Sequence, residues 1–199
     1  MPNRTADITR DTNETKIKLT LDLDGRGVVK ASTGVGFFDH MLDLFGRHAL
    51  IDLTVEAEGD LHVDQHHTVE DVGLVLGQAI EKAVGDKRGI YRYGWANLPM
   101  DESLSRVALD LSGRPAFVFS IPFKGPLIGE FAAELVEEFF KATATAAKMN
   151  LHIDVPYGSN NHHMAEATFK AFARALRQAV SIDPRAADQV PSTKGTLTD

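Results

Sequence analysis

HHTVEDVGLVLGQAIEKAV, residues 66–84, and HHMAEATFKAFARALRQAV, residues 162–180, align without a gap at an offset of 96 positions. Each opens on His-His-x-x-Glu and continues with apolar residues at helical spacing: Val72, Leu76 and Ile80 stand over Thr168, Phe172 and Leu176. A repeat at fixed offset is weighed first, because it reorganises the reading of everything around it. Upstream of each string, NETKIKLTLDLDGRG (13–27) lies 88 residues before DESLSRVALDLSGRP (101–115). That alignment puts Glu14 over Glu102 and Arg26 over Arg114. The chain therefore divides into two halves, 1–90 and 91–199, each small for independent stability, that form one compact unit.

Both halves give the same order of elements. Ile17, Leu19, Leu21 and Leu23 alternate with Lys16, Lys18, Thr20 and Asp22, and Val107, Leu109 and Leu111 repeat the pattern, which marks strands with one dry face. Extended stretches follow at 28–33 and 116–121. Phe37, Phe38, Met41, Leu42 and Phe45 then show helical spacing in the first half, as do Leu135, Val136, Phe139 and Phe140 in the second. A further strand, LIDLTVEA or NLHIDV, precedes each His-His helix. The prediction is an α+β fold built from a duplicated ββαβα half, with helices packed on one face of mixed sheets. Residues 85–100 read as the join between halves, and 183–199 as a polar tail.

Composition narrows the function. With 199 residues, 43% apolar and 25% charged, the chain is of ordinary globular type. A net charge of −7, with no Lys or Arg run longer than two, argues against a nucleic-acid partner. No stretch of 18 apolar residues predicts a membrane span, and residues 1–20 lack the apolar core of a secretion signal, so a cytoplasmic protein is expected. Zero cysteines exclude thiolate chemistry and leave any metal to nitrogen and oxygen ligands. No Walker A string or GxGxxG helix start supports nucleotide binding.

Eight histidines remain to be explained: His40, His48, His62, His66, His67, His152, His162 and His163. On a helix, Glu70 lies four residues from His66 and three from His67, so the carboxylate shares a face with either imidazole. Adjacent imidazoles point roughly 100° apart, so the second His of each pair reaches toward another ion and each half supplies pieces of two sites. Imidazole with carboxylate suits manganese, iron or zinc. The competing reading is a pair of helix starts whose histidines cap or pack.

HHTVED (66–71), HHMAEATFKAFARALRQAV, GVGFFDHMLDLFGRH (34–48), YRYGWANLPMDESL (91–104), LDLSGRP (109–115) and VPSTKG (190–195) together resemble the imidazoleglycerol-phosphate dehydratase family over essentially the whole chain. The resemblance implies a ribosomal protein S5 domain 2-like half, repeated. It also implies two Mn2+ ions per active site and a homo-oligomer of about 24 subunits with active sites between chains. The metal ligands it implies are His40, His66, His67 and Glu70, then His162, His163 and Glu166. Many family members resemble LVEHFF where this chain reads LVEEFF (135–140), so Glu138 stands at the eighth ligand position, where the repeat also aligns it with His40. Glu138 reads equally as a solvated helix charge, with His152 as the substitute.

The implied reaction is loss of water from a phosphorylated imidazole substrate, imidazole glycerol phosphate, giving imidazole acetol phosphate in histidine biosynthesis. A weakly acidic carbon-bound proton must be lost and hydroxide leaves poorly, so two Lewis-acidic ions have a purpose. By resemblance the proton shuttle is Glu14, with Asp101 near it in the second-half segment, although Glu14 reads equally as an exposed charge at a strand start. Arg92, Arg114, Lys170, Ser192, Thr193 and Lys194 match the substrate-phosphate positions, and His48 lines the pocket. As single residues these cations read equally as solvated surface. His62 has no assigned role. Two other functions fit the same ligands: a dinuclear hydrolase acting on a phosphoester, and a metal-stabilised shell without catalysis.

Overall fold

In the computed structural model, which describes residues 4–197, the alternation around Leu19 becomes a strand with Ile17, Leu19 and Leu21 at most 2% exposed and Lys16, Lys18 and Thr20 on the wet face. The outermost ends of the two halves, 1–3 and 198–199, lie outside the described residues. In chain order the first half holds β1 (Thr5–Asp11), β2 (Thr15–Asp22), β3 (Val29–Ser32), α1 (Gly36–Ala49), β4 (Asp52–Gly59) and α2 (His66–Val84). The second holds β5 (Tyr93–Met100), β6 (Ser103–Asp110), β7 (Ala116–Ser120), β8 (Leu127–Ile128), β9 (Phe131–Ala132), α3 (Leu135–Ala146), β10 (Asn150–Tyr157) and α4 (Asn161–Val180).

The ββαβα order is present twice, and an additional strand precedes it each time at the sheet edge. The sheets run β1-β2-β4-β3 and β5-β6-β10-β7, antiparallel except for the parallel β3–β4 and β7–β10 pairs. Their registers superpose: Ile8, Leu19, Val55 and Ala31 lie across one sheet, and Ala96, Val107, Ile153 and Phe119 across the other. The duplication thus extends to β1 and β5, and residues 93–100, expected to belong to the join, form a strand. Both edge strands buried one residue each, Ala6 and Gly94, so neither carries the period-two stripe that reveals a strand. Pro99 in β5 suits an edge, where a missing N–H breaks no ladder. A two-stranded hairpin, β8–β9, is inserted before α3.

Helices cover one face of each sheet. α2 lies on β1, β2 and β4, α1 on β3 and β4, α4 on β5 and β6, and α3 on β7. The halves then meet helix to helix, α1 against α4 and α2 against α3. Their shared core stacks Phe139, Phe140, Phe169 and Phe172, all at most 1% exposed, with ring centroids 4.7–5.3 Å apart. Burial of each such ring stabilises by roughly 1.5–3 kcal/mol. Gly73 and Gly77 let α2 approach α3: a Cβ on Gly77 would stand 2.5 Å from the Thr143 carbonyl.

Candidate active site

Both His-His pairs fall in the first turn of a helix, and polar side chains fix those turns. Asn160 Oδ1 accepts the backbone N–H of His162 at 2.9 Å and of His163 at 3.4 Å, an N-cap for α4. At α2, Asp64 Oδ1 accepts the His66 N–H at 2.8 Å. Within each pair the ring planes are nearly perpendicular, at 90° for His66 and His67 and 84° for His162 and His163, with centroids 6.1 and 6.4 Å apart.

α1 meets α4 where the two halves join, and one ligand cluster forms there. His40 from α1 and His162 and Glu166 from α4 bring one donor atom each within 4.8 Å of one another. Glu166 Oε2 lies 3.0 Å from His162 Nε2 and 3.6 Å from His40 Nε2. Neighbouring ligands of an octahedral ion with bonds of about 2.1 Å stand about 3.0 Å apart, so this donor set fits a hard or borderline cation. Lys170 Nζ holds the other oxygen, Oε1, at 2.5 Å, which turns Oε2 toward the imidazoles. Burial of Glu166 opposes its charge, yet the Lys170 and His162 hydrogen bonds hold its carboxyl below the usual range.

The repeat-related residues behave differently. His66 Nε2 lies 3.7 Å from Glu70 Oε2, while Glu138 on α3 turns to Lys141 Nζ at 3.4 Å. Among the described residues, this second set does not close into a three-ligand cluster. His152 is no substitute within its own chain: on β10 Leu151 and Ile153 point into the core, so His152 faces outward, away from the helix layer.

The remaining histidine of each pair is held by a carboxylate. Asp60 accepts from His67 Nδ1 at 3.0 Å, and Glu102 from His163 Nδ1 at 2.7 Å. These bonds raise both imidazole pKa values above the ordinary histidine range. Glu102 falls well below the usual carboxylate range, first through His163 and then through the N–H groups of Asn160 and Ser159. On the far side of each ring stand the expected proton shuttles: Glu14 Oε1 is 3.9 Å from His67 Nε2, and Asp101 Oδ2 is 3.7 Å from His163 Nε2. The β1–β2 turn that carries Glu14 is clamped to α2, because buried Asp71 accepts from Thr15 Oγ1 at 2.5 Å and Arg10 at 2.9 Å.

Residues 33–176 match the family model described as imidazoleglycerol-phosphate dehydratase. The chain belongs to the imidazoleglycerol-phosphate dehydratase family. A relative from Azorhizobium caulinodans bearing that name is 62% identical over 194 residues, 98% of each chain. Another, from Albidiferax ferrireducens, is 59% identical over 99% of this chain and 97% of its own. Among solved structures, the enzyme of that name from Staphylococcus aureus superposes with a TM-score of 0.82 at 40% identity, covering 90% of this chain and 99% of its own. The Pyrococcus furiosus structure, in complex with (S)-C348, gives 0.82 at 32% identity over 95% and 99%. Membership makes this chain a carbon–oxygen hydro-lyase of histidine biosynthesis. No helix among the described residues is long and apolar enough to cross a membrane.

For a family member, the residues matched to the phosphate positions sit in two places. Arg92 spends its fork on Asp110, at 2.6 and 3.0 Å, and donates to the Pro191 carbonyl at 2.8 Å. It therefore anchors the start of the tail that carries Ser192, Thr193 and Lys194. Leu197 of the same tail packs on Gly113, next to exposed Arg114. Lys170 is instead beside Glu166 in the ligand cluster. His48 opens on a cleft of about 520 Å³ with Trp95, Asn97, Arg174 and Arg177. Burial, followed by Lys170 and Arg174, lowers its pKa. Sequence reasoning missed Asp60 and Glu102. The available signal for Glu102 was its alignment with Glu14; Asp60 has no counterpart in the repeat.

Proposed function

We propose that the chain dehydrates imidazole glycerol phosphate to imidazole acetol phosphate, with two Mn2+ ions per site, in a cytoplasmic homo-oligomer of about 24 subunits whose sites lie between chains. The observation that carries this reading is the convergence of His40, His162 and Glu166, from both halves, on one point. These three would hold one ion; His66, His67, Glu70 and His163, with Glu138 as the eighth ligand, would hold the others in combinations completed by neighbouring chains. Bound manganese supplies Lewis-acid stabilisation of the negative charge that develops as proton and hydroxide are lost.

The chain's own residues do the rest. Glu14, 57% exposed at the tip of its turn, takes at a carboxylate oxygen the proton of the second side-chain carbon, the one next to the carbon beside the ring. A proton delivered to the hydroxyl on the carbon beside the ring, from Glu14 or Asp101, lets it leave as water; a carbon–carbon double bond replaces the broken C–H and C–O bonds, and the enol so formed passes its hydroxyl proton to the carbon beside the ring to give the ketone. Arg114, Ser192, Thr193 and Lys194 bind the phosphate, Arg92 holding the tail in place and Lys170 holding Glu166. His48 lines the approach.

Purified protein incubated with imidazole glycerol phosphate and Mn2+ is expected to yield the keto product in proportion to substrate consumed. Phosphate release without ketone would establish the hydrolase instead. A protein that assembles with metal and never turns over would establish the structural shell.

A further inference from the structure

We propose that Asp60 and Glu102 are positioning residues for His67 and His163, each holding the Nδ1–H tautomer so that Nε2 is presented as the lone-pair donor to metal. The inference rests on the metal-dependent reading above. An ionised carboxylate can only accept, so the ring nitrogen it meets carries the proton, and in the neutral imidazole that binds metal the other nitrogen does not. Asp60 meets Nδ1 through both oxygens, at 3.2 and 3.0 Å, and Glu102 through one, at 2.7 Å. In both cases Nε2 is left facing the carboxylate assigned to proton transfer, Glu14 or Asp101, at 3.9 or 3.7 Å. A carboxylate behind a ligating imidazole fixes ring orientation and raises its basicity.

The two halves reach this arrangement by different routes, and the difference explains why Asp101, not the aligned Glu102, stands where Glu14 does. Glu102 aligns with Glu14, yet it is closed off by bonds from Ser159 N at 3.0 Å, Asn160 N at 2.8 Å, Ser103 Oγ at 3.0 Å and Ser159 Oγ at 3.2 Å in addition to His163. Those four donors saturate Oε1 and His163 engages Oε2, so this carboxylate is committed to the loop and the imidazole. Its neighbour Asp101, 76% exposed and carried on a left-handed backbone of φ 47°, occupies the side that Glu14 occupies in the first half. Loop length supplies the reason. Residues 60–65 separate β4 from α2, whereas only 158–160 separate β10 from α4, and this shorter loop, Gly-Ser-Asn, offers no carboxylate. The orienting group is therefore drawn from the β5–β6 turn, and the proton-transfer position moves back by one residue.

The test uses the full chain as Asp60→Asn and Glu102→Gln, both of which keep side-chain shape. Free Mn2+ measured by electron paramagnetic resonance during titration is expected to show one class of sites weakened about 10–100-fold in each variant. In 15N-histidine spectra of the metal-free protein at alkaline pH, His67 and His163 are expected as Nδ1–H in the wild type, with Nε2–H growing in at the ring whose partner was changed. Unchanged affinity and unchanged tautomers in both variants would overturn the proposal. So would a lowered metal-free melting temperature with wild-type affinity, which assigns Glu102 to bracing the 158–160 loop alone. Should Glu102→Gln not fold, Asp60→Asn, outside that loop, decides. A wild type that binds no Mn2+ would overturn the metal reading together with this one, whereas binding that is equal in wild type and variants overturns this one only.

Discussion

Thr12 closes the turn that presents Glu14, its hydroxyl accepting the Glu14 and Thr15 N–H groups at 3.2 and 3.0 Å while the Glu14 carbonyl accepts from Asp60 N at 3.0 Å. The backbone of Glu14 is thus held and its carboxylate is left to the site. Glu14→Gln is expected to lower kcat about 10²–10⁴-fold with manganese content and assembly unchanged, measured by turnover and elemental analysis on the same sample. A second carboxylate gives a pH prediction. Asp52 Oδ1 accepts from Arg26 N at 2.7 Å and Val28 N at 2.8 Å, and these bonds, Val28 first, lower its pKa. A lowered native pKa means stability present above the unfolded value, about 3.9, and lost as pH falls through the native one. Asp52→Ala is therefore expected to lower the melting temperature at neutral pH, with the gap to wild type narrowing below about pH 4. A gap independent of pH would exclude the charge as the cause.

At the scale of elements, α2 and α3 approach through glycine. Gly77→Ala improves helix propensity by about 0.8–1 kcal/mol, but the new Cβ would meet Ala146 Cβ at 2.7 Å and Ala147 N at 2.8 Å, both on the partner helix or its end. Overpacking should win, so a net destabilisation of about 1–3 kcal/mol by denaturant unfolding is expected. The helices and core strands were legible because their stripes repeat every 3.6 or 2 residues. TADITRD (5–11) was not, since an edge strand buries little and its partner, Ile8 opposite Leu19, is chosen through space. The same holds for the side chain of Glu138: its helix is plain in LVEEFF, while its turn toward Lys141 is a choice among rotamers.

For the whole molecule, the His40, His162 and Glu166 cluster is built at the seam between halves, and among the described residues the repeat-related set does not close into a second one. On the proposed sharing of ligands between chains, a chelator is expected to lower the sedimentation coefficient, with recovery on adding Mn2+; an unchanged profile would count against that sharing. By itself the sequence determined the duplication, the α+β class and the residue types available for chemistry: histidines and carboxylates at helical spacing, without thiols. These are properties of composition and local period, which survive in one dimension. Only the tertiary structure decided that His40 joins His162 and Glu166 across the seam, that His152 faces outward, and that Glu102 stands behind a histidine while Asp101 stands before it. Those outcomes depend on which helices pack and how long each loop is, and a contact spanning more than 100 residues leaves no periodic trace along the chain.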